Sequence, residues 1–248
     1  MNTRKLQSGF TLVEIAIVLV IIGLLLGGIL KGQELITSAR VRNLADQNSG
    51  IQAAYYGFID RYRQIPGDMV AAGPRGACNV IGDTVPGCSG GGGVGGNGNG
   101  RLDDEDFTEA ANVWAHMSAA GFIQGNYQGL AAGGDAAGYA VESIAPQNVF
   151  QGFVMLTRSD EYEGGATPAM RNLFVFGRNL PVYVIRELDL KIDDGQPHTG
   201  VVRSTQTSGG NLGTVAQRQA NCVADGGGGV QIWNINGNET DCNATFLY

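Results

Sequence analysis

Two segments of the chain carry closely spaced carboxylate and amide side chains, whose oxygen atoms are the ligands that calcium prefers. In the first segment these side chains follow a glycine-rich stretch, and they are Asn97, Asn99, Asp103, Asp104 and Asp106. The segment is not an EF-hand, because Arg101 stands at its fifth position and Thr108 at its twelfth, where that motif places ligands. A glycine linker that leads into the acidic first turn of a helix explains the same residues without a metal. Both explanations remain open.

The second acidic segment contains Asp189, Asp193 and Asp194. It is a second candidate for calcium, and the alternative is an exposed acidic patch at the end of a helix. The sequence predicts no other cofactor.

Four cysteines could form disulfides, and they are Cys78, Cys88, Cys222 and Cys242. Their spacing is not the C-x-x-C of zinc or redox sites. Four cysteines allow three connectivities, and buried free thiols are a further alternative. We expect pairing between near neighbours, which would close two loops rich in glycine and asparagine. In an exported domain such bonds would be stable.

Motifs of common enzyme classes are missing from the sequence. It has no G-x-S-x-G, no H-E-x-x-H and no phosphate-binding loop ending in G-K-[ST]. The two histidines, His116 and His198, have no metal-binding partner near them in the sequence, and we interpret His116 as a packed or surface residue of a helix. The residues therefore give no support to a catalytic centre.

Composition limits the remaining functions. The 248 residues include 40 glycines and have a formal net charge of -7. A chain this acidic is a poor partner for nucleic acid, because phosphate binding needs a surplus of Lys and Arg. Its length allows one good-sized core or two small ones.

The most apolar segment lies at the start of the chain. Residues 10–30 contain a single charged residue, Glu14, and Arg4 and Lys5 precede them. As a helix this segment would span about 30 Å, the thickness of the hydrocarbon core of a bilayer. A cleaved secretory signal is normally shorter and ends at a small-x-small site. A plain signal anchor explains the length, but it does not explain an acidic residue inside the apolar run.

Residues 8–14, with the sequence SGFTLVE, combine a small residue, an aromatic residue and an acid at a fixed offset. This pattern resembles the processing site of type IV prepilins and type II secretion pseudopilins. The resemblance implies cleavage after Gly9 by a prepilin peptidase and N-methylation of the new terminus, Phe10. It also implies that Glu14 pairs with the terminal amine of a neighbouring subunit and thereby sets the register of a filament. The loop containing Cys222 and Cys242 resembles the C-terminal disulfide loop of many type IV pilins.

The resemblance implies a structural subunit of a pilus or pseudopilus. Its partners would be other pilin or pseudopilin subunits, the prepilin peptidase, an inner-membrane assembly platform and, before assembly, membrane lipid. The protein would cross the inner membrane once, with its head in the periplasm, and would later join an extracellular or periplasm-spanning filament. The alternative is a membrane-anchored periplasmic binding protein or enzyme with a coincidental N-terminus.

Apolar residues beyond residue 30 recur three, four or seven positions apart, so the first helix is expected to continue to about Arg63, and Pro66 and Gly67 end the pattern. The expected parts are a leader peptide (1–9), a transmembrane and filament-core helix (10–30), its amphipathic continuation (31–66) and a globular head (67–248). Within the head, the pattern predicts helices at 104–121 and 179–192. It predicts strands at 138–144, 149–157, 171–177, 201–204 and 230–235, and a flexible or tightly turning stretch at 89–100. The fold class is α+β, with a long N-terminal helix packed against a small antiparallel sheet, as the pilin resemblance also implies.

Overall fold

A computed structural model describes residues 11–90, 92–164, 168–206 and 211–248, without the side chain of Thr214. The chain forms two compact units, Met1–Arg40 and Val41–Tyr248. The expected leader peptide, with Gly9 and Phe10, lies outside the described residues.

The described helices and strands follow the chain in a mixed order. The helices are α1 (Leu12–Tyr62), α2 (Ala77–Val80), α3 (Phe107–Ala119), α4 (Ala136–Tyr139), α5 (Val182–Ile192) and α6 (Gly213–Ala216). The strands are β1 (Met155–Ser159), β2 (Arg171–Val175), β3 (Val202–Ser204), β4 (Val223–Asp225), β5 (Gln231–Trp233) and β6 (Ala244–Leu247).

Four strands form one antiparallel sheet in the order β1-β2-β6-β3, and β4 and β5 form a separate hairpin. In the sheet, Phe174 of β2 lies opposite Leu156 on one side and opposite Phe246 on the other. Phe174 and Leu156 are buried, so this row of side chains belongs to the core. The sheet confirms the predicted α+β class.

The second part of α1 belongs to the same unit as the sheet and buries one face. Its buried residues follow helical spacing, and they are Val41, Leu44, Asn48, Ile51, Ala54, Tyr55 and Phe58. The ring of Phe58 lies 5.8 Å from that of Phe122, and the ring of Tyr56 lies 6.4 Å from that of Tyr248, which follows β6. The long helix therefore packs on the small sheet, as predicted. It ends at Tyr62, and Arg63 adopts a left-handed conformation with φ 55°.

The prediction of a strand at 138–144 is wrong. The structure has the short helix α4 there, begun by Asp135, whose side chain accepts a hydrogen bond from the Gly138 N–H at 2.8 Å. Tyr139 is fully buried, where its hydroxyl accepts from Trp114 Nε1 at 2.7 Å and donates to the Val154 carbonyl at 2.8 Å. The buried contacts of Tyr139 therefore override the local sequence preference that predicted a strand.

Candidate functional site

Glu14 lies in the first turn of α1, where its side chain helps to cap the N-terminus of the helix. Its Oε2 accepts hydrogen bonds from the N–H and the hydroxyl of Thr11, both at 2.8 Å, and the Thr11 hydroxyl accepts from the Glu14 N–H at 3.3 Å. This reciprocal arrangement is a capping box. The acid is exposed, and its bonds leave it accessible to a charged partner from another chain.

The side chains around Glu14 on α1 form an exposed apolar surface. Every described large apolar residue between positions 12 and 30 is at least 46% exposed. Among the described residues, one helix, α1, is long and apolar enough to cross a membrane, and none of its most apolar window is buried. Membrane spans and signal sequences near an N-terminus share this length and composition.

The structure brings together three of the five candidates in the first acidic segment. Asn97 Nδ2 and Asn99 Nδ2 donate to the two carboxylate oxygens of Asp103, at 2.5 and 2.6 Å. Asn97 Oδ1 accepts a hydrogen bond from the Asn99 N–H, and Asn99 Oδ1 accepts one from the Arg101 N–H. The Asp103 carboxylate thus already has hydrogen-bond donors from its own loop.

The other two candidates of this segment have structural roles elsewhere. Asp104 forms an ion pair with Arg158 of β1. Asp106 is the N-cap of α3 and accepts from the Thr108 N–H at 2.7 Å. The five residues therefore do not form one common site.

Asp68 and Glu109 hold the same loop, and neither of them is among the candidates that the sequence predicts for this segment. Asp68 is buried and accepts the N–H groups of Asn99 and Gly100 at 2.9 and 2.8 Å. No local pattern marks Asp68, because these partners lie 31 and 32 residues further along the chain.

Glu109 is also buried and accepts the N–H groups of Asn97 and Asp103 at 3.2 and 2.7 Å. Burial raises the pKa of its carboxyl, and the nearby charges of Asp103 and Asp68 raise it further. The position of Glu109, three residues after Asp106, is typical of a capping box. Its carboxylate instead accepts hydrogen bonds from the loop that precedes α3.

The second acidic segment does form a cluster. One carboxylate oxygen from each of Asp189, Asp193 and Asp194 lies within 4.8 Å of the others. Asp189 is buried and accepts from Trp233 Nε1 at 2.7 Å and from the Gly195 N–H at 3.2 Å. Burial, together with the charges of Asp194 and Asp193, raises the pKa of Asp189 to about 6, although the hydrogen bonds from Trp233 and Gly195 act to lower it.

The residues of this cluster fit calcium by their donor type, because all three offer carboxylate oxygens to a hard cation. Asp193 and Asp194 also accept hydrogen bonds from the loop after α5 and from the first residue of β3. The donors are Gln196, Thr199, Val201 and Val202. The cluster would therefore bind a metal through oxygens that also order this loop. Calcium remains a prediction at this position.

The two disulfides join near neighbours in the sequence, the expected connectivity. Cys78 pairs with Cys88 and Cys222 pairs with Cys242, with Cα atoms 5.3 and 5.7 Å apart. The first disulfide is covered by Gly93, which has φ 70°. A Cβ atom at Gly93 would lie 2.5 Å from Cys78 Sγ, so no larger residue fits without movement.

His116 links separate segments of the head from a buried position. Its Nδ1 accepts from the Gly67 N–H at 3.0 Å, which places the ring proton on Nε2, where it donates to the Val94 carbonyl at 3.0 Å. Burial lowers the pKa of His116 to about 4. The prediction of a packed histidine agrees with this environment, whereas His198 lies in the loop after α5.

Comparison with protein families gives one match. Residues 4–30 match the family described as the prokaryotic N-terminal methylation motif. The chain carries a prepilin-type N-terminus. Comparison with curated proteins and with solved structures gave no match.

The prepilin-type motif supports a type IV pilin-like or pseudopilin-like protein. The motif implies processing by a prepilin peptidase and assembly with other pilin subunits. The apolar part of α1 is compatible with anchoring in an inner membrane. The match covers Glu14 and the apolar segment, and residues 31–248 lie beyond it.

Proposed function

We propose that the chain is a structural subunit of a type IV pilus or of a type II secretion pseudopilus. It is cleaved after Gly9, methylated on Phe10 and polymerised through α1. The observation that carries this proposal is the prepilin-type motif, which is continuous with a helix whose large apolar side chains between positions 12 and 30 are all exposed.

Burial of this apolar surface drives assembly. Before polymerisation, lipid covers the apolar residues, and the head lies in the periplasm. In a filament the same residues pack against neighbouring copies, with the inner-membrane assembly platform transferring subunits from one environment to the other. Glu14 would then lie among apolar helices, where a buried charge needs a partner. The amine of Phe10 in a neighbouring subunit supplies it.

Processing is tested by the intact mass of the chain. Wild-type protein from cells that contain a prepilin peptidase is expected to lack nine residues and to carry one methyl group on Phe10. Gly9→Val should block cleavage, while Gly23→Val, at a position with open space around it, should leave cleavage unchanged. A wild-type chain that keeps its full length would contradict the proposal.

Assembly is tested by electron microscopy and mass spectrometry of filaments sheared from cells. Glu14→Gln removes the charge and keeps the shape, so we expect about a tenfold or greater loss of the chain from filaments, with normal processing. Glu34→Gln is the matched control, because Glu34 is an exposed acid of the same helix, paired with Lys31 at 2.7 Å. Recovery of wild-type chain only as an unassembled membrane protein would instead favour a membrane-anchored binding protein or enzyme.

A further inference from the structure

The hairpin of β4 and β5 has an open edge. Its ladder continues through bonds from the Gly226 N–H to the Val230 carbonyl at 2.7 Å and from the Asn234 N–H to the Cys222 carbonyl at 3.0 Å. Since hydrogen-bonded and non-hydrogen-bonded pairs alternate in antiparallel sheets, the N–H and C=O groups of Val223 and Asp225 point away from β5. Within the described part of the chain, no hydrogen bond reaches these groups. An edge of this kind can pair with another strand.

The outer face of the hairpin is apolar. Trp233 of β5 faces inward and bonds to Asp189 of α5. Because side chains alternate along a strand, Ile232 and Val230, one and three positions earlier, face away from the core. Val230 and Ile232 are 43% and 44% exposed, and Ile235, in the 3-10 turn that follows β5, is 47% exposed. Single exposed apolar residues are ordinary, but three within six positions beside an open edge form a patch.

The hairpin also lies in an acidic part of the chain. Residues 219–248 contain no Lys, Arg or His, and their acids are Asp225, Glu239 and Asp241. Asp241 pairs with Arg178, whereas Asp225 and Glu239 have no ion pair among the described residues. A partner at this edge would therefore be favoured by positive charge, which speeds and orients docking.

We propose that the edge of β4 is a docking site for an extended basic segment of another protein. The segment adds to the hairpin as a third strand and bonds to the outward backbone groups of Val223 and Asp225. Ala224 lies opposite Ile232 in the ladder and is small, so long apolar side chains of the segment reach across it to the apolar patch. Lys or Arg residues of the segment lie beside Asp225.

The hairpin is attached to the rest of the head at its base and on its inner face. The Cys222–Cys242 disulfide fixes its base, and the bond from Trp233 to Asp189 fixes its inner face to α5. A strand edge held in place before binding loses little conformational freedom when a partner docks. The site lies in the head, so it is independent of the assembly role proposed for α1.

A synthetic peptide provides the test on the full-length chain in neutral detergent micelles. The probe is a ten-residue peptide of alternating lysine and valine, and the comparison peptide has glutamate in place of lysine. We expect the lysine peptide to bind about tenfold more tightly than the glutamate peptide and to slow amide hydrogen exchange at Val223 and Asp225. Protection at other residues, or equal binding of the two peptides, would overturn the proposal.

Two variants and a matched control sharpen the test. Ile232→Thr keeps strand propensity but removes apolar surface, and Asp225→Lys reverses the charge, so each should weaken binding of the lysine peptide about tenfold. Val141→Thr alters a residue of the head with the same 43% exposure as Val230 and should bind as wild type does. If Val223 and Asp225 become protected without peptide as protein concentration rises, the occupant is a second copy of the chain and the proposed partner is wrong.

Discussion

The neutral ring of His116 is required by its two hydrogen bonds, because a protonated imidazole cannot accept from the Gly67 N–H. Its pKa of about 4 lies below the ordinary 6.5, so protons bind preferentially to the unfolded chain. The stabilisation is therefore complete above pH 6.5 and is lost as the pH falls toward 4. We expect a loss of about 3 kcal/mol in the free energy of unfolding, measured by urea denaturation across this range.

Two variants separate the contribution of His116 to the pH dependence of stability from that of the buried acids. Glu109 and Asp189 have raised pKa values, so their titration changes stability in the opposite direction. His116→Gln should remove the histidine component from the pH profile, and His198→Gln should retain it. A wild-type profile that parallels that of His116→Gln between pH 4 and 6.5 would show that the ring does not titrate as described.

Calcium is a second prediction at the scale of residues. A cation bound by Asp189, Asp193 and Asp194 would offset the repulsion between three carboxylates whose oxygens lie within 4.8 Å of one another. Saturating calcium should raise the Tm by about 5 °C or more relative to the protein in EDTA. The double variant Asp193→Asn with Asp194→Asn should lose this shift, while Asp103→Asn should keep it. The absence of any calcium-dependent shift in the wild type would reject the site.

At the scale of elements, the glycines of residues 92–100 permit close packing. Gly95 lies so near the backbone that a Cβ atom there would be 2.5 Å from the Met69 carbonyl oxygen, and one at Gly96 would be 2.5 Å from that of Gly67. Backbone bonds hold the segment, including the Gly96 N–H to the Met69 carbonyl at 2.8 Å. Where the structure describes it, this stretch is a packed part of the head with left-handed residues at Gly93, Gly98 and Gly100, which agrees with the tightly turning alternative of the prediction.

Gly93 tests this interpretation through its contact with the first disulfide. Gly93→Ala introduces both a left-handed alanine and a clash with Cys78 Sγ, so we expect it to lower the free energy of unfolding by about 2 kcal/mol or more. Gly90→Ala is the matched control, because nothing lies within 4 Å of its Cβ position, and it should change stability by less than about 0.5 kcal/mol. Urea denaturation of the oxidised proteins measures both. Equal changes in the free energy of unfolding for the two variants would mean that the close contact at Gly93 does not affect stability.

The elements that the sequence predicts well are those whose signals are local. The apolar run gives α1, and the apolar segment at Arg171–Val175 gives β2. Pro181 just before Val182–Ile192 marks the start of α5. Neither β4 nor β6 has such a signal, because each is short and is defined by its partner strand. The hydrogen bonds of Asp68 and Glu109 to residues 97–103 also exist only in the folded head. The sequence therefore predicts the polar residues of this loop, but it does not predict the two buried acids that hold the loop in place.

At the scale of the whole molecule, the stability of the head depends on residues from Val41 onward. Both disulfides, all described strands and the buried face of α1 lie in Val41–Tyr248. From residue 11 to residue 40, the part of the first unit that the structure describes, no apolar residue is buried. The function proposed for the first unit can therefore be removed without unfolding the second.

A truncated chain that begins at Lys31 is accordingly expected to be soluble and monomeric, and to unfold in a single cooperative transition. A chain that begins at Pro66 loses Val41, Leu44 and Phe58, each fully buried. Removal of a large core side chain costs about 2–5 kcal/mol, and a domain has only about 5–15 kcal/mol in total, so this shorter chain should not fold. Light scattering, near-ultraviolet circular dichroism and urea denaturation compare the two. If the shorter chain folds as well as the longer one, the second part of α1 serves the filament rather than the core of the head.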